Sequence, residues 1–257
     1  MTTNTTTDAP ALSGRHVEAR RQAVDAARAI MIRSGGVTNV TIAAVAKALK
    51  FTSPALYRYF PGGRDELLRA VHHAALEDLA ARMVTAREMQ PRADVAAQLY
   101  ALTHTVFCWS LAHPGEFSLL MGSDFHEIQE GSEESDREVA TIVGGPYVPS
   151  FVTLMEQTDH SFWPAEHEVP AEMHPQIREH VKAIAPDLDI PLGLGYTWIR
   201  TWRAIFGVIC MAAFGHLSFA FGDFRPMFDD MMAQALLMYG LEPSDAYVPA
   251  ASAVAQV

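Results

Sequence analysis

The chain is 257 residues long, 49% hydrophobic, and carries a formal net charge of −11. That apolar share can bury a substantial core, which excludes a disordered or fibrous polypeptide, and two cysteines are too few for a disulfide scaffold. The negative charge does not exclude nucleic acid as a partner: residues 1–70 hold ten basic and five acidic side chains, a net +5, which leaves −16 for the remainder. Such asymmetry is the electrostatic footprint of a nucleic-acid-binding module attached to a non-binding one.

Residues 1–14 begin MTTNTTTDAP, with no basic segment followed by an apolar run, so they read as a disordered tail and not as a secretory signal. Beyond them strand signals are scarce, and apolar residues recur at the three-four spacing of helices, which predicts an all-α protein. Residues 17–34 carry Val24, Ala27 and Met31 on one face, and Gly35-Gly36 stops that helix. Thr41 can cap a helix of about nine residues whose Ile42, Val45, Ala46 and Leu49 share a face. The turn Lys50-Phe51-Thr52 leads to Ser53-Pro54, an expected N-cap followed by proline at the first helical position, and Pro61-Gly62-Gly63 closes this short helix.

A long helix is predicted from Arg64 to about Glu88, with Asp65 and Glu66 in its first turn, where the helix dipole favours anions. Asp94 opens the next helix and Pro114 ends it. Residues 123–138 are acidic and poor in large apolar groups, and they read as an exposed loop. Pro146 and Pro149 flank the start of a helix that carries Phe151, Leu154 and Met155. Residues 158–170 read as irregular, with a helix near 171–185 after them. The two last helices are expected over about 193–221 and 225–240, with a flexible C-terminus at 246–257. Ala204 to Phe221 is interrupted only by His216 and Ser218, long enough to raise a membrane span. Arg200 and Arg203 one turn upstream, six glycines or alanines, and the lack of a second span favour burial in a protein interface.

Two short helices joined by a tight turn, flanked by longer helices and rich in positive charge, describe a helix-turn-helix DNA reader. The segment TIAAVAKALKFTSPALYRYFPGGRDELL, Thr41 to Leu68, resembles the signature of the TetR family of transcriptional regulators, and the likeness runs over residues 17–70. AHPGEF at 112–117 and TWRAIFGVICMAAFGHL at 201–217 resemble actinobacterial C-terminal domains of that family, although Phe206 stands where those domains usually carry histidine. The resemblance implies a helix-turn-helix domain over 15–63 and a helical ligand-binding and dimerisation domain over 64–245. It also implies double-stranded operator DNA as partner, a small-molecule effector, and a homodimer formed through the last two helices. Family members commonly carry glycine where this chain has Lys50, and a left-handed conformation costs lysine about 1 kcal/mol more than glycine.

Thr41 is placed to offer its hydroxyl and the start of its helix to a phosphate. Thr52, Ser53, Pro54 and Ala55 lead the recognition helix, where short side chains read bases through hydroxyl hydrogen bonds and thymine methyl contacts. Tyr57 and Tyr59 match phosphate-contacting positions of the family, Arg64 can neutralise a phosphate beside the long helix, and Leu56 and Phe60 point into the three-helix core. For the effector, Tyr100, His104, Phe107, Trp109, Phe117, Met121, Met155, Trp163, Trp198, Trp202 and Phe206 suggest an apolar pocket, with Tyr100 and His104 as polar anchors. The histidines show no metal-ligand spacing, no cofactor is implied, and no nucleophile-base pair or phosphate loop points to an enzyme. Cys108 and Cys210 in apolar helices suit the reducing cytoplasm. A DNA-binding regulator without an effector, and an all-α enzyme whose helix-turn-helix serves packing alone, remain as alternatives.

Overall fold

A computed structural model describes residues 14–122, 133–158 and 160–243. The expected N-terminal tail but for Gly14, much of the acidic loop, and the C-terminal extension lie outside the described residues. Within them the protein is all α, without strands. The chain divides into two compact units between Ala74 and Ala75.

The first unit holds α1 (Gly14–Ser34), α2 (Ile42–Ala48), α3 (Ser53–Tyr57) and the start of α4 (Gly63–Glu88). Ala23, Ala27 and Met31 of α1, Val45 of α2, Leu56, Phe60, and Leu67 and Val71 of α4 are all buried, the apolar faces that the spacing predicts. Thr41 caps α2 by accepting the Ala44 amide at 3.1 Å. The cap of α3 differs from expectation: Thr52 accepts the Ala55 amide at 3.3 Å, so Ser53 and Pro54 are the first two helical residues. Both residues are hydroxylic, and the sequence alone could not decide which one adopts the extended backbone that a cap needs; here it is Thr52, at φ −85° and ψ 149°. Between the two helices Lys50 takes the left-handed conformation, φ 59°, while the Phe51 amide reaches back to the Ala46 carbonyl at 2.8 Å. This is the usual glycine-closed helix end, made here with lysine at about 1 kcal/mol of strain.

The division falls inside α4 because its apolar stripe changes partners: from Ala75 onward Leu76, Leu79 and Met83 join the core of the second unit. That unit continues with α5 (Val95–Ala112), capped by Asp94 through the Ala97 amide at 2.8 Å, then α6 (Pro114–Met121), α7 (Glu133–Gly144) and α8 (Val148–Gln157). It ends with α9 (His174–Ile184), α10 (Leu192–Ala213) and α11 (Arg225–Met238). The segment expected to be a loop to Glu138 turns helical at Glu133, because the apolar run Val139, Ala140, Ile142 and Val143 packs against the core and carries helix upstream. The expected helix to Phe221 stops at Ala213, where Gly215 goes left-handed at φ 66° and the His216 amide bonds the Met211 carbonyl at 2.8 Å. Apolarity continues past that point but the backbone does not, and no described helix is long and apolar enough to cross a membrane.

Candidate functional site

In the first unit the exposed groups sit on short, capped helices over a rigid base. Thr41, Thr52 and Pro54 are exposed, Ser53 and Ala55 half-buried, and Tyr57 is 50% exposed, whereas Leu56 and Phe60 are buried as expected. Tyr59 packs its ring on His16, edge to face at 5.0 Å, and on Phe51 at 6.4 Å. The base is held by Arg20. Its guanidinium lies 4.3 Å from the Phe60 ring centre, donates to the Tyr59 carbonyl, and donates to Glu66 Oε1 at 2.7 Å. Burial would raise the Glu66 carboxyl, but the bonds from Arg20 and from the Gly62 amide at 2.9 Å outweigh it and hold the group below its ordinary value. Arg64 turns onto the main chain, donating to the carbonyls of Val40 at 2.9 Å and Val37 at 3.1 Å. It therefore fixes the loop before α2 to the start of α4.

Residues 23–71 match the profile described as "Bacterial regulatory proteins, tetR family". Those residues therefore carry a DNA-binding domain of the TetR type. Two solved structures share the fold over most of the chain. SCO4313, described as a regulatory protein, aligns with a TM-score of 0.64 at 22% identity, covering 88% of this chain and 98% of its own. RolR, solved in complex with resorcinol, aligns with a TM-score of 0.53 at 18% identity, covering 91% and 94%. No curated protein sequence matches.

The second unit holds a partly open cavity of about 620 Å³. Four helices build its walls: the end of α6 with Leu120 and Met121, α7 with Val139, Ala140 and Val143, α9 with Gln176, Ile177, His180 and Ile184, and α10 with Trp198, Ile199, Trp202, Arg203 and Phe206. Glycine sets how closely two of them approach. A Cβ on Gly195 of α10 would stand 2.9 Å from Ile177 Cγ2 and 3.0 Å from Val181 Cγ2, inside normal contact, so only a bare backbone lets α9 lie where it does. Tyr147 completes the wall, its hydroxyl paired with Thr103 Oγ1 at 3.1 Å. Burial holds the His180 imidazole below its ordinary value, so it is neutral at pH 7.

Four of the expected pocket residues line this cavity: Met121, Trp198, Trp202 and Phe206. The structure places the other seven elsewhere. The Tyr100 hydroxyl donates to Asp229 Oδ1 at 2.7 Å and accepts from Arg225 Nη2 at 2.8 Å, a clasp between α5 and α11. His104 stacks on Tyr100 at 5.6 Å, with its Nε2 3.3 Å from Cys108 Sγ, and burial pushes its imidazole down to about 4. Phe107 stacks on Phe228 at 4.5 Å, and Trp109 points its indole N–H at Asp78 Oδ2, 3.4 Å away. Phe117 stands behind Phe206 at 6.0 Å, Trp163 is buried, and Met155 packs against the core. The polar wall residues missed by the sequence reading are Tyr147, Gln176, His180 and Arg203. For Gln176 and His180 the legible trace is the spacing Gln176, Ile177, His180, Ile184, which puts one face of α9 on the cavity.

Proposed function

We propose that this chain is a ligand-responsive repressor of the TetR family that binds a palindromic operator as a homodimer and releases it when a small, largely apolar molecule fills the 620 Å³ cavity. The observation that carries this reading is the pairing of a basic helix-turn-helix with a separate acidic unit that holds a largely apolar cavity. Thr52, Ser53, Pro54 and Ala55 then read base edges in the major groove. Thr41, whose hydroxyl keeps its own proton to donate, binds a phosphate together with Tyr57 and Tyr59, while Arg64 positions the reading helices and lends charge to a nearby phosphate. The complex of RolR with resorcinol supports a small molecule as effector. Exposed Phe214, Phe219, Phe221 and Leu237, on and between α10 and α11, support pairing of the last two helices with those of a second copy, because such groups are otherwise costly exposed patches. The cytoplasm, where its DNA lies, is the proposed location.

None of the cavity residues belongs to α4, so the ligand acts on that helix at one remove. Arg87 of α4 donates to the Pro146 carbonyl at 3.0 Å, and Pro146 precedes the wall residue Tyr147. A ligand that shifts Tyr147 shifts this anchor, and α4 runs on into the DNA-reading unit. Because a ligand biases an equilibrium only by its differential affinity for two states, operator must weaken ligand binding by the factor by which ligand weakens operator binding.

Selection of bound duplexes from a randomised library tests the reading. It is expected to return palindromes with half-site centres roughly 34 Å apart, and light scattering is expected to show a dimer. A monomer at micromolar concentration, or no enriched duplex, overturns it. Within the selected site, Tyr57→Phe weakens binding equally across sequences, while Ser53→Ala changes which sequences are preferred.

A further inference from the structure

The polar groups of the cavity are few. Among the described residues the wall includes a cation, Arg203, and no aspartate or glutamate. Arg203 is exposed, and no carboxylate among the described residues pairs with it, although most charges in this part of the chain are negative. The other polar side chains on the wall are neutral: the Gln176 amide, the Tyr147 hydroxyl, already paired with Thr103, and the imidazole of His180. Around them the surface is apolar and ringed, with Trp202 stacked on Phe206 at 5.8 Å and Trp198 lying 6.0 Å from His180.

We propose that the cavity takes an amphiphilic anion, a flat or extended apolar body bearing one carboxylate or similar acid, which Arg203 meets at the wall. The proposal rests on the reading of this cavity as the effector site. A volume of about 620 Å³ is that of a drug-sized ligand, so a single-ring phenol would leave much of it unfilled. Arginine suits a carboxylate better than any neutral group, because its planar fork donates two parallel hydrogen bonds to the two oxygens. A ligand cation would have to shed water beside a guanidinium, with no carboxylate among the described wall residues to receive it, which is unfavourable. The overall acidity of the unit does not reverse this preference. Charges farther than about 10 Å are screened at ordinary ionic strength, so the nearest charge decides. Gln176 and His180, one turn apart on α9, supply hydrogen bonds without adding charge.

The test uses three probes of one shape: 9-anthracenecarboxylate, its neutral carboxamide, and 9-(aminomethyl)anthracene, followed by energy transfer from the tryptophans of the full-length protein. The carboxylate is expected to bind about tenfold more tightly than the carboxamide, as one charge-assisted contact of about 1.4 kcal/mol would give, and the ammonium most weakly. Arg203→Gln should bring carboxylate and carboxamide level, and Arg203→Lys should restore part of the difference. Ala140→Trp, or Val143→Phe should the first variant lose its helical signal, fills the cavity and should weaken all three. Equal affinities in the parent protein, all lost on filling, overturn the anion preference and leave the cavity as the effector site. Probe binding that is absent, or indifferent to filling, overturns both.

Discussion

Residues 14–74 carry their candidate contact groups on the surface, at the leading ends of two helices of seven and five residues, whereas residues 75–243 carry theirs around a cavity walled by four helices. In the first unit one local motif supplies the whole candidate surface, and its support is equally local in kind: two threonine caps, one arginine under the recognition helix, one arginine behind it. In the second unit the wall residues run from Leu120 to Phe206, and what joins them is packing. The contrast teaches that surface recognition can be written in a short stretch of chain, while an interior volume is a property of how distant stretches meet.

Salt should separate the two units most sharply. Raising monovalent salt from 50 to 200 mM is expected to lower affinity for the selected duplex roughly a thousandfold, as neutralisation of several phosphates requires. Anthracene carboxamide, a neutral probe of the second unit, should change little. Fluorescence anisotropy on the two titrations gives the answer, and a shallow slope for DNA would mean that the first unit does not act through phosphates.

Within the second unit, two tryptophans should behave as opposites. Trp109 is buried and bonded to Asp78 away from the cavity, so Trp109→Ala should cost about 3 kcal/mol of stability in urea while leaving the ranking of the three probes intact. Trp202 is partly exposed on the cavity wall, and its truncation should cost less stability but flatten probe affinity. Were Trp109→Ala to change the ranking, the boundary drawn between wall and core would be misplaced.

A smaller effect belongs to the first unit alone. Lys50→Gly relieves a left-handed lysine and should stabilise that unit by about 1 kcal/mol or slightly less, since glycine also loses more freedom on folding. Hydrogen exchange at the Leu56 and Leu67 amides should slow, and unchanged exchange would show that the turn relaxes its strain elsewhere.

Acid should distinguish the units by the smallest margin. His104, pushed by burial to about 4, and His180, lowered by burial, stay neutral in the fold while the unfolded chain protonates near 6.5. Stability of the second unit is therefore full above pH 6.5 and declines as pH falls toward about 4, by less than about 1 kcal/mol once solvent screening of these half-buried rings is allowed for. Glu66 works at lower pH: its depressed value adds stability above the ordinary carboxyl range and loses it only as pH falls below about 4.5. All four tryptophans, Trp109, Trp163, Trp198 and Trp202, lie in the second unit. Their fluorescence should accordingly respond to acid before the exchange rates of the first unit do, and the reverse order would count against the buried histidines as the cause.

The sequence by itself determined the helical class, the reading motif from Thr41 to Arg64, and the bounds of most helices, because each rests on interactions within a few residues: caps, dipoles, and apolar periodicity. Of the eleven residues it suggested for the pocket, Met121, Trp198, Trp202 and Phe206 lie on the cavity wall and the other seven do not. Only the tertiary structure decided that Tyr100 serves a clasp with Arg225 and Asp229, more than 120 residues away in sequence, that His104 stacks on Tyr100, and that Arg203 faces the cavity. It alone ended α10 at Ala213 while the apolar run continued, and it alone assigned the α3 cap to Thr52. The physical reason is common to these cases. A polar or aromatic side chain has the same local signature whether it meets a distant carboxylate, a neighbouring ring or empty space, and only the packing of helices remote in sequence selects among them.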